Sequence, residues 1–315
     1  MATPSSSAES IPPQTYRGRF APSPTGPLHF GSLIAAVASF LQARVSDGVW
    51  LVRIEDLDPP REVPGAADSI LNTLERFGFE WDETVVYQST RTRAYESALE
   101  SLESKRLVFP CACSRKEILA ANGGRAGSPK LGPVYPGTCR NGLPPGRSGS
   151  SIRVRACDRE VEFRDALQGR YSQNLECEGG DFVIRRGDGL FAYQLAVVVD
   201  DADQAITEIV RGCDLLETTP RQIYLQGLLG FTTPLYMHVP VVVSATGQKL
   251  SEQTGAQPVD RQEPPAALCN ALTFLGQEPP AGLHTSSLNE IWSWAMENWL
   301  LSKTPSGRQR HFDSV

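Results

Sequence analysis

No apolar run in the chain approaches the roughly 20 residues that a helix needs to cross a bilayer. The densest, around Leu195 to Val199, runs straight into Asp200, Asp201 and Asp203, so no membrane partner is expected. No targeting leader is expected either. Residues 1–15 hold Ser and Pro and a single charged residue, Glu9, without a basic start or an apolar stretch, and they read as a disordered lead-in to a cytoplasmic protein. Also lacking is an excess of positive charge. With 30 Lys and Arg against 36 Asp and Glu, the net charge is −6, which excludes a protein that coats nucleic acid by neutralising phosphates over its whole surface. Local basic stretches remain at Arg140 to Arg155, at Arg185-Arg186 and at Lys303 to Arg310. Taken singly, each reads as a solvated face before it reads as an RNA contact.

What is present is enough apolar material for a full-sized core. The 315 residues, 40% hydrophobic and 21% charged, fit one large domain or two modest ones. Strand-like Tyr16 to Ala21 is closed by Pro22, Pro24 and Gly26, after which Leu33, Ala36, Val37, Phe40 and Leu41 recur at helical spacing. Val49 to Ile54 reads as a second strand, and Ile70, Leu71, Leu74 and Phe77 mark a helix that Gly78 ends. This β-α-β-α order predicts an α/β fold, a parallel sheet with helices on its faces. A helix is expected at about Arg91 to Arg106. From Cys111 to Ser151, Gly, Pro and Ser dominate, which marks an insertion. Further strands are expected at Ser151 to Ala156, Val161 to Arg164, Phe182 to Arg186, Ile206 to Val210 and Val239 to Val243. Helices are expected at Phe191 to Ala205, at Thr219 to Leu229, and near Pro265 to Leu275 and Ser287 to Leu301. The expected division is a lead-in at 1–15, two halves of an α/β domain at 16–110 and 187–253, an inserted region at 111–186 and a short helical region at 254–315.

Seven cysteines in a reducing compartment are better examined for metal spacing than for disulfides. Cys111-x-Cys113, followed by Tyr135-Pro136-Gly137-Thr138-Cys139, offers three thiolates and a phenol. They fit either a closed four-ligand zinc site or thiols without a ligand. Cys157, Cys177, Cys213 and Cys269 are isolated. His29 sits where the first Pro/Gly-rich loop enters a helix, a place where backbone N–H groups and an imidazole suit a phosphate, and Gly31 lets a nucleotide approach the backbone. A lone His-x-Gly also fits a purely structural loop. Far along the chain, Gly247-Gln248-Lys249-Leu250-Ser251 is a glycine-flanked loop whose lysine can neutralise the phosphates of ATP.

Together, His29-Phe30-Gly31-Ser32 and Lys249-Leu250-Ser251-Glu252-Gln253 resemble the two signatures of class I aminoacyl-tRNA synthetases, His-Ile-Gly-His and Lys-Met-Ser-Lys-Ser. Arg19-Phe20-Ala21-Pro22-Ser23-Pro24-Thr25-Gly26, with Arg53-Ile54-Glu55-Asp56, is similar to the glutamyl-tRNA synthetase branch. Leu28 to Leu33 and Asp58-Pro59-Pro60-Arg61-Glu62-Val63-Pro64-Gly65 narrow the resemblance to the glutamyl-queuosine tRNA(Asp) synthetases, over about Arg17 to Asn298. The resemblance implies a Rossmann-type catalytic domain that activates L-glutamate with ATP and Mg and passes it to queuosine in the anticodon of tRNA(Asp). It implies Arg19, Phe20, Ala21, Pro22, Ser23, Glu55, Tyr193 and Arg211 as the glutamate site, with Glu55 taking the α-amino group and Arg211 the side-chain carboxylate. His29, Gly31, Ser32, Lys249 and Ser251 would take ATP, with His29 and Lys249 catalytic. Cys111, Cys113, Tyr135 and Cys139 would hold one structural zinc, and the protein would act as a monomer.

Two departures stand out. Glu252 occupies the place of the family's second lysine, an anion beside the triphosphate. Only 62 residues follow Gln253, too few for the anticodon-binding domains of a full glutamyl-tRNA synthetase. A truncated enzyme charging a tRNA 3′ end, and an RNA-binding relative with a decayed site, therefore stand as rivals. A pantothenate synthetase-like adenylate former is a weaker one, since it has no use for Arg211 or the cysteines.

Overall fold

The computed structural model describes residues 15–121, 131–243 and 258–312. The lead-in through residue 14, most of the 120–133 tract and the loop with Lys249, Ser251 and Glu252 lie outside the described residues.

The first strand, β1 (Arg17–Phe20), runs parallel to β2 (Val49–Ile54), which pairs parallel with β3 (Val86–Tyr87). Between β1 and β2 lies α1 (Phe30–Arg44). This helix buries Phe30, Leu33, Ile34, Val37, Ala38, Phe40 and Leu41, apolar almost all round, because the sheet covers one side and a C-terminal helix the other. Next, α2 (Ala66–Arg76) is amphipathic and buries Ala66, Ile70, Thr73 and Leu74. Gly78 ends it at φ +75°, where an added Cβ would meet Trp292 Nε1 at 3.0 Å. Its close approach leaves the Trp292 indole N–H to donate to Phe77 O at 3.0 Å.

After α3 (Thr92–Ser104), an antiparallel sheet forms from β4 (Val108–Cys111), β5 (Ser151–Val154) and β8 (Phe182–Arg185), with α4 (Arg115–Ala121) beside it. The hairpin of β6 (Glu160–Asp165) and β7 (Gly169–Asn174) leaves this sheet, and α5 (Leu175–Glu178) returns the chain to it. Then come α6 (Tyr193–Asp203), β9 (Glu208–Gly212), α7 (Thr219–Leu229), β10 (Leu235–Val239) and β11 (Val241–Val243). β9 pairs parallel with β10, and β10 pairs parallel with β6. β9 is tied to β1 at Thr207, whose N–H donates to Arg17 O at 2.9 Å and whose hydroxyl accepts from Arg17 N at 2.8 Å.

The C-terminal helices α8 (Pro264–Phe274) and α9 (Leu288–Asn298) share one apolar core with α1, β2 and α2. In that core Phe40 packs on Trp50, Phe79 and Trp292 at centroid distances of 5.1, 5.3 and 4.8 Å. Each such ring removed from water stabilises the fold by about 1.5–3 kcal/mol. The last strand, β12 (Gln309–His311), pairs parallel with β11, and Phe312 stacks on Phe30 at 5.2 Å. Among the described residues no helix is long and apolar enough to cross a membrane.

The α/β fold with a parallel sheet and a helical C-terminal region agrees with the expectation. The expected strand Val239 to Val243 is corrected to two, because Pro240 carries no N–H for a ladder and breaks the run. Strands β3, β4, β7 and β12, and β10 up to His238, were not expected.

Candidate active site

Parallel strands β1, β2, β9 and β10 end together, and a cavity of about 400 Å³ opens at their carboxyl ends, the usual place for a ligand in such sheets. Arg19, Phe20, Ala21, Pro22, Ser23, His29, Gly31, Ser32, Glu55, Tyr193 and Arg211 all line it, although they come from five separate stretches of chain. Lys249 and Ser251 lie outside the described residues. The loop after β1 is pinned to the end of β2 by the Glu55 N–H donating to Pro22 O at 2.9 Å. His29 caps α1: its Nδ1 accepts from Ser32 N at 3.2 Å, and its Nε2 lies 3.2 Å from Ser32 Oγ. With Nδ1 accepting, the ring hydrogen of the neutral imidazole sits on Nε2.

Arg19 belongs to a buried ionic cluster. Its Nε and Nη2 donate to the two oxygens of Asp201 at 3.0 and 3.4 Å. Arg53, fully buried, reaches Asp201 at 2.7 Å, Glu55 at 3.6 Å and Asp200 at 3.9 Å. Asp200 in turn accepts from Gln88 at 2.7 Å and from the Tyr95 hydroxyl at 2.8 Å. Burial disfavours the ionised Asp201, but Arg19 and Arg53 outweigh it and hold the carboxyl below its usual range. Glu55 goes the other way. Burial pushes it up to about 7 against the pull of Arg53 and Arg19.

Arg211 is held differently. Its Nε donates to His238 Nε2 at 3.0 Å, its Nη2 to Thr219 Oγ1 at 2.8 Å, and its Nη1 lies 3.5 Å from the Tyr193 hydroxyl. The β9–β10 register sets this up, since Arg211 and His238 are directly paired positions.

Away from this cavity, Cys111, Cys113 and Cys139 bring their sulfurs within 4.8 Å of one another. Cys113 and Cys139 are 3.6 Å apart, and the Tyr135 oxygen lies 3.3 Å from the Cys111 sulfur and 3.7 Å from that of Cys113. A tetrahedral zinc with Zn–S bonds of about 2.3 Å sets its sulfurs ~3.8 Å apart, so this donor set fits zinc. The Arg153 guanidinium lies over the Tyr135 ring at 4.1 Å, a cation beside a group of potential thiolates. The local apolar cluster is Phe109, Cys111, Ile118, Tyr135 and Cys139, three of which are the candidate ligands themselves.

A family model described as tRNA synthetases class I (E and Q), catalytic domain, matches residues 15–305. The chain belongs to this class I synthetase family. The glutamyl-Q tRNA(Asp) synthetase of Aromatoleum aromaticum is 58% identical over 297 residues, covering 94% of this chain and 92% of that one. The proteins of the same name from Dechloromonas aromatica and Pseudomonas aeruginosa are 56% and 51% identical, each over 92% of this chain and 96% of its own. The fold is that of a glutamate-tRNA synthetase from Elizabethkingia anophelis, with a TM-score of 0.78 at 24% identity over 96% of this chain and 68% of that one.

Within this synthetase the sequence reading missed Asp165, Asp201, Thr219 and His238. Asp201 left a trace: it sits beside Asp200 at the end of an apolar run, in a helix that faces the buried arginines. Asp165 and His238 left none, for their pairings are made across the sheet, and Thr219 left none because it meets Arg211 only where the chain after β9 turns into α7. Part of each basic stretch is neutralised where it stands. Arg140 pairs with Glu176 at 3.3 Å, Arg186 with Asp58 at 2.9 Å, Lys303 with Glu278 at 2.9 Å and Arg308 with Glu217 at 3.1 Å.

Proposed function

We propose that this synthetase activates L-glutamate with ATP as glutamyl-adenylate and transfers the glutamate to queuosine in the anticodon of tRNA(Asp). The observation that carries the reading is the convergence of Arg19, Ser23, His29, Glu55, Tyr193 and Arg211 on one cavity, in a chain whose relatives bear that enzyme's name. Glu55 receives the α-ammonium, which draws its carboxyl back to the ionised form. Arg211 takes the side-chain carboxylate, so glutamine, with a neutral amide, leaves that charge unmatched. An oxygen of the substrate's α-carboxylate then bonds to the α-phosphorus of ATP, and pyrophosphate leaves; Mg bound with ATP would lower the charge of its phosphates. His29 Nε2–H and the Lys249 ammonium balance charge developing on the phosphates. A cyclopentene-diol hydroxyl of queuosine attacks the adenylate carbonyl, loses its proton and expels AMP, leaving an ester.

The test incubates the protein with ATP, labelled glutamate and total tRNA, with and without queuosine. Label is expected on tRNA whose 3′ end has been blocked, and absent from tRNA lacking queuosine. Label confined to an open 3′ end supports a truncated glutamyl-tRNA synthetase instead. No glutamate-dependent pyrophosphate exchange without tRNA supports a binding relative.

The Cys111, Cys113, Tyr135 and Cys139 site holds a closed structural zinc in this reading, stabilising a lobe with little apolar core of its own. One zinc per chain is expected by metal analysis, falling in Cys139→Ser together with the melting temperature. Full metal content in that variant removes Cys139 from the site.

A further inference from the structure

Asp165 and His238 stand behind Arg211, and no step of the chemistry above uses them. Asp165 Oδ1 accepts from the backbone N–H groups of Leu167, Gln168 and His238 at 3.0, 2.9 and 3.2 Å. These bonds fix the carboxylate at the β6–β7 turn. Its Oδ2 lies 2.6 Å from His238 Nδ1, and both side chains are fully buried. A carboxylate only accepts, so the ring hydrogen sits on Nδ1 and Nε2 of the neutral imidazole is an acceptor. Nε2 is where the Arg211 Nε–H arrives. Burial, with Arg211 adding to it and Asp165 opposing, holds the His238 pKa down to about 4, which keeps the ring neutral. Thr219 donates its hydroxyl hydrogen to Leu215 O at 3.1 Å and so accepts from Arg211 Nη2.

The Nε and Nη2 groups form one edge of a guanidinium. Here that edge is filled by two neutral acceptors, and Nη1 meets a third, the Tyr193 hydroxyl, at 3.5 Å; the Nη1/Nη2 edge is where a substrate carboxylate would bind. A carboxylate in the place of His238 would cancel the charge of Arg211 before substrate arrived.

We propose that Asp165 and His238 are positioning residues for glutamate selection: Asp165 fixes the tautomer of His238, and His238 orients Arg211 while leaving its positive charge for the substrate's side-chain carboxylate. The inference rests on the reading of Arg211 given under the proposed function.

Nitrogen NMR of the full chain with labelled histidine, assigned by loss of the signal in His238→Gln, is expected to show a neutral ring protonated at Nδ1 near neutral pH. A ring protonated at Nε2, or charged, overturns the proposal whatever the activity of the variants. In glutamate-dependent pyrophosphate exchange, His238→Leu is expected to raise KM for glutamate roughly 10- to 100-fold, the effect of losing a hydrogen bond to a charged group, with KM for ATP unchanged. His238→Gln, whose amide oxygen can stand where Nε2 stood, recovers part of the loss. An equal rise in both KM values, or no difference between the two variants, reduces His238 to a structural residue and overturns the proposal. Arg211→Met separates the two layers. If it leaves KM for glutamate unchanged, the reading of Arg211 fails; if it raises KM and His238→Leu does not, only the positioning role fails.

Discussion

Two arginines line the same cavity and the fold treats their charges in opposite ways. Arg19 is held on its Nε and Nη2 groups by the carboxylate of Asp201, which also binds the fully buried Arg53. Arg211 is held on the same two groups by an imidazole and a hydroxyl. Both side chains are oriented, but only one has its charge cancelled. A buried ion pair spends its attraction on its own desolvation and adds little for a third charged group. A buried arginine held by neutral acceptors keeps its charge for a ligand. Orientation and neutralisation are thus separable, and in the proposed reading Arg211 is the arginine whose charge is left for the substrate's side-chain carboxylate.

The largest expected effect is on Arg211. Arg211→Met should lower kcat/KM for glutamate in pyrophosphate exchange about a thousandfold or more, because the substrate carboxylate is left buried without a partner. Arg19→Met, which leaves Asp201 with Arg53, should lower it less, and equal losses would erase the distinction between the two walls. Asp201→Ala takes the carboxylate from buried Arg19 and the nearest one from Arg53, which keeps Glu55 and Asp200, and should destabilise the fold by about 3–5 kcal/mol, read from the denaturant midpoint; a cost under ~1 kcal/mol means water reaches the cluster.

Glu55 sharpens the comparison through pH. Its carboxyl is raised from 4.5 to about 7, and the ionised form receives the substrate ammonium, so kcat/KM for glutamate should rise as pH rises through about 7 and level off above it. Glu55→Gln should lose that limb along with most activity. Because the folded pKa is the higher one, the folded state holds the extra proton, and the stability Glu55 contributes is present below pH 4.5 and lost as pH rises to about 7. A urea midpoint that gains stability over that window because of Glu55, as judged against Glu55→Gln, contradicts the burial-driven shift. The smallest effect is on the ATP side. Glu252→Lys should raise pyrophosphate exchange a few-fold by replacing an anion with a cation near the triphosphate, and an unchanged rate shows that this position does not limit activation.

Much of the scaffold was legible because its signals are local. Val49–Ile54 is found as read, since an apolar run in a sheet covered on both faces has few alternatives. Thr219–Leu229 is found as read because Pro220 starts it and Gly230, at φ +77°, ends it. The β7 strand, GRYSQN, shows no such pattern. It exposes alternate residues and takes its place only by pairing with β6. The β12 strand is polar and becomes a strand by lying against β11. The loop after β1 announced most of the cavity because Arg19 to Ser32 is one continuous stretch with a shape of its own.

The sequence by itself determined much of the order of strands and helices, the polar loops that close the strands, and the donor types gathered near Cys111 and His29. All of these follow from residue type and spacing along the chain. Tertiary structure decided which charges meet. Asp165 lies 73 residues from His238, and Arg19 lies 182 from Asp201, and whether an arginine ends beside a carboxylate or beside a neutral ring depends on sheet register. That register is fixed by the burial of the whole strand, so it carries no mark at the residues whose electrostatics it sets.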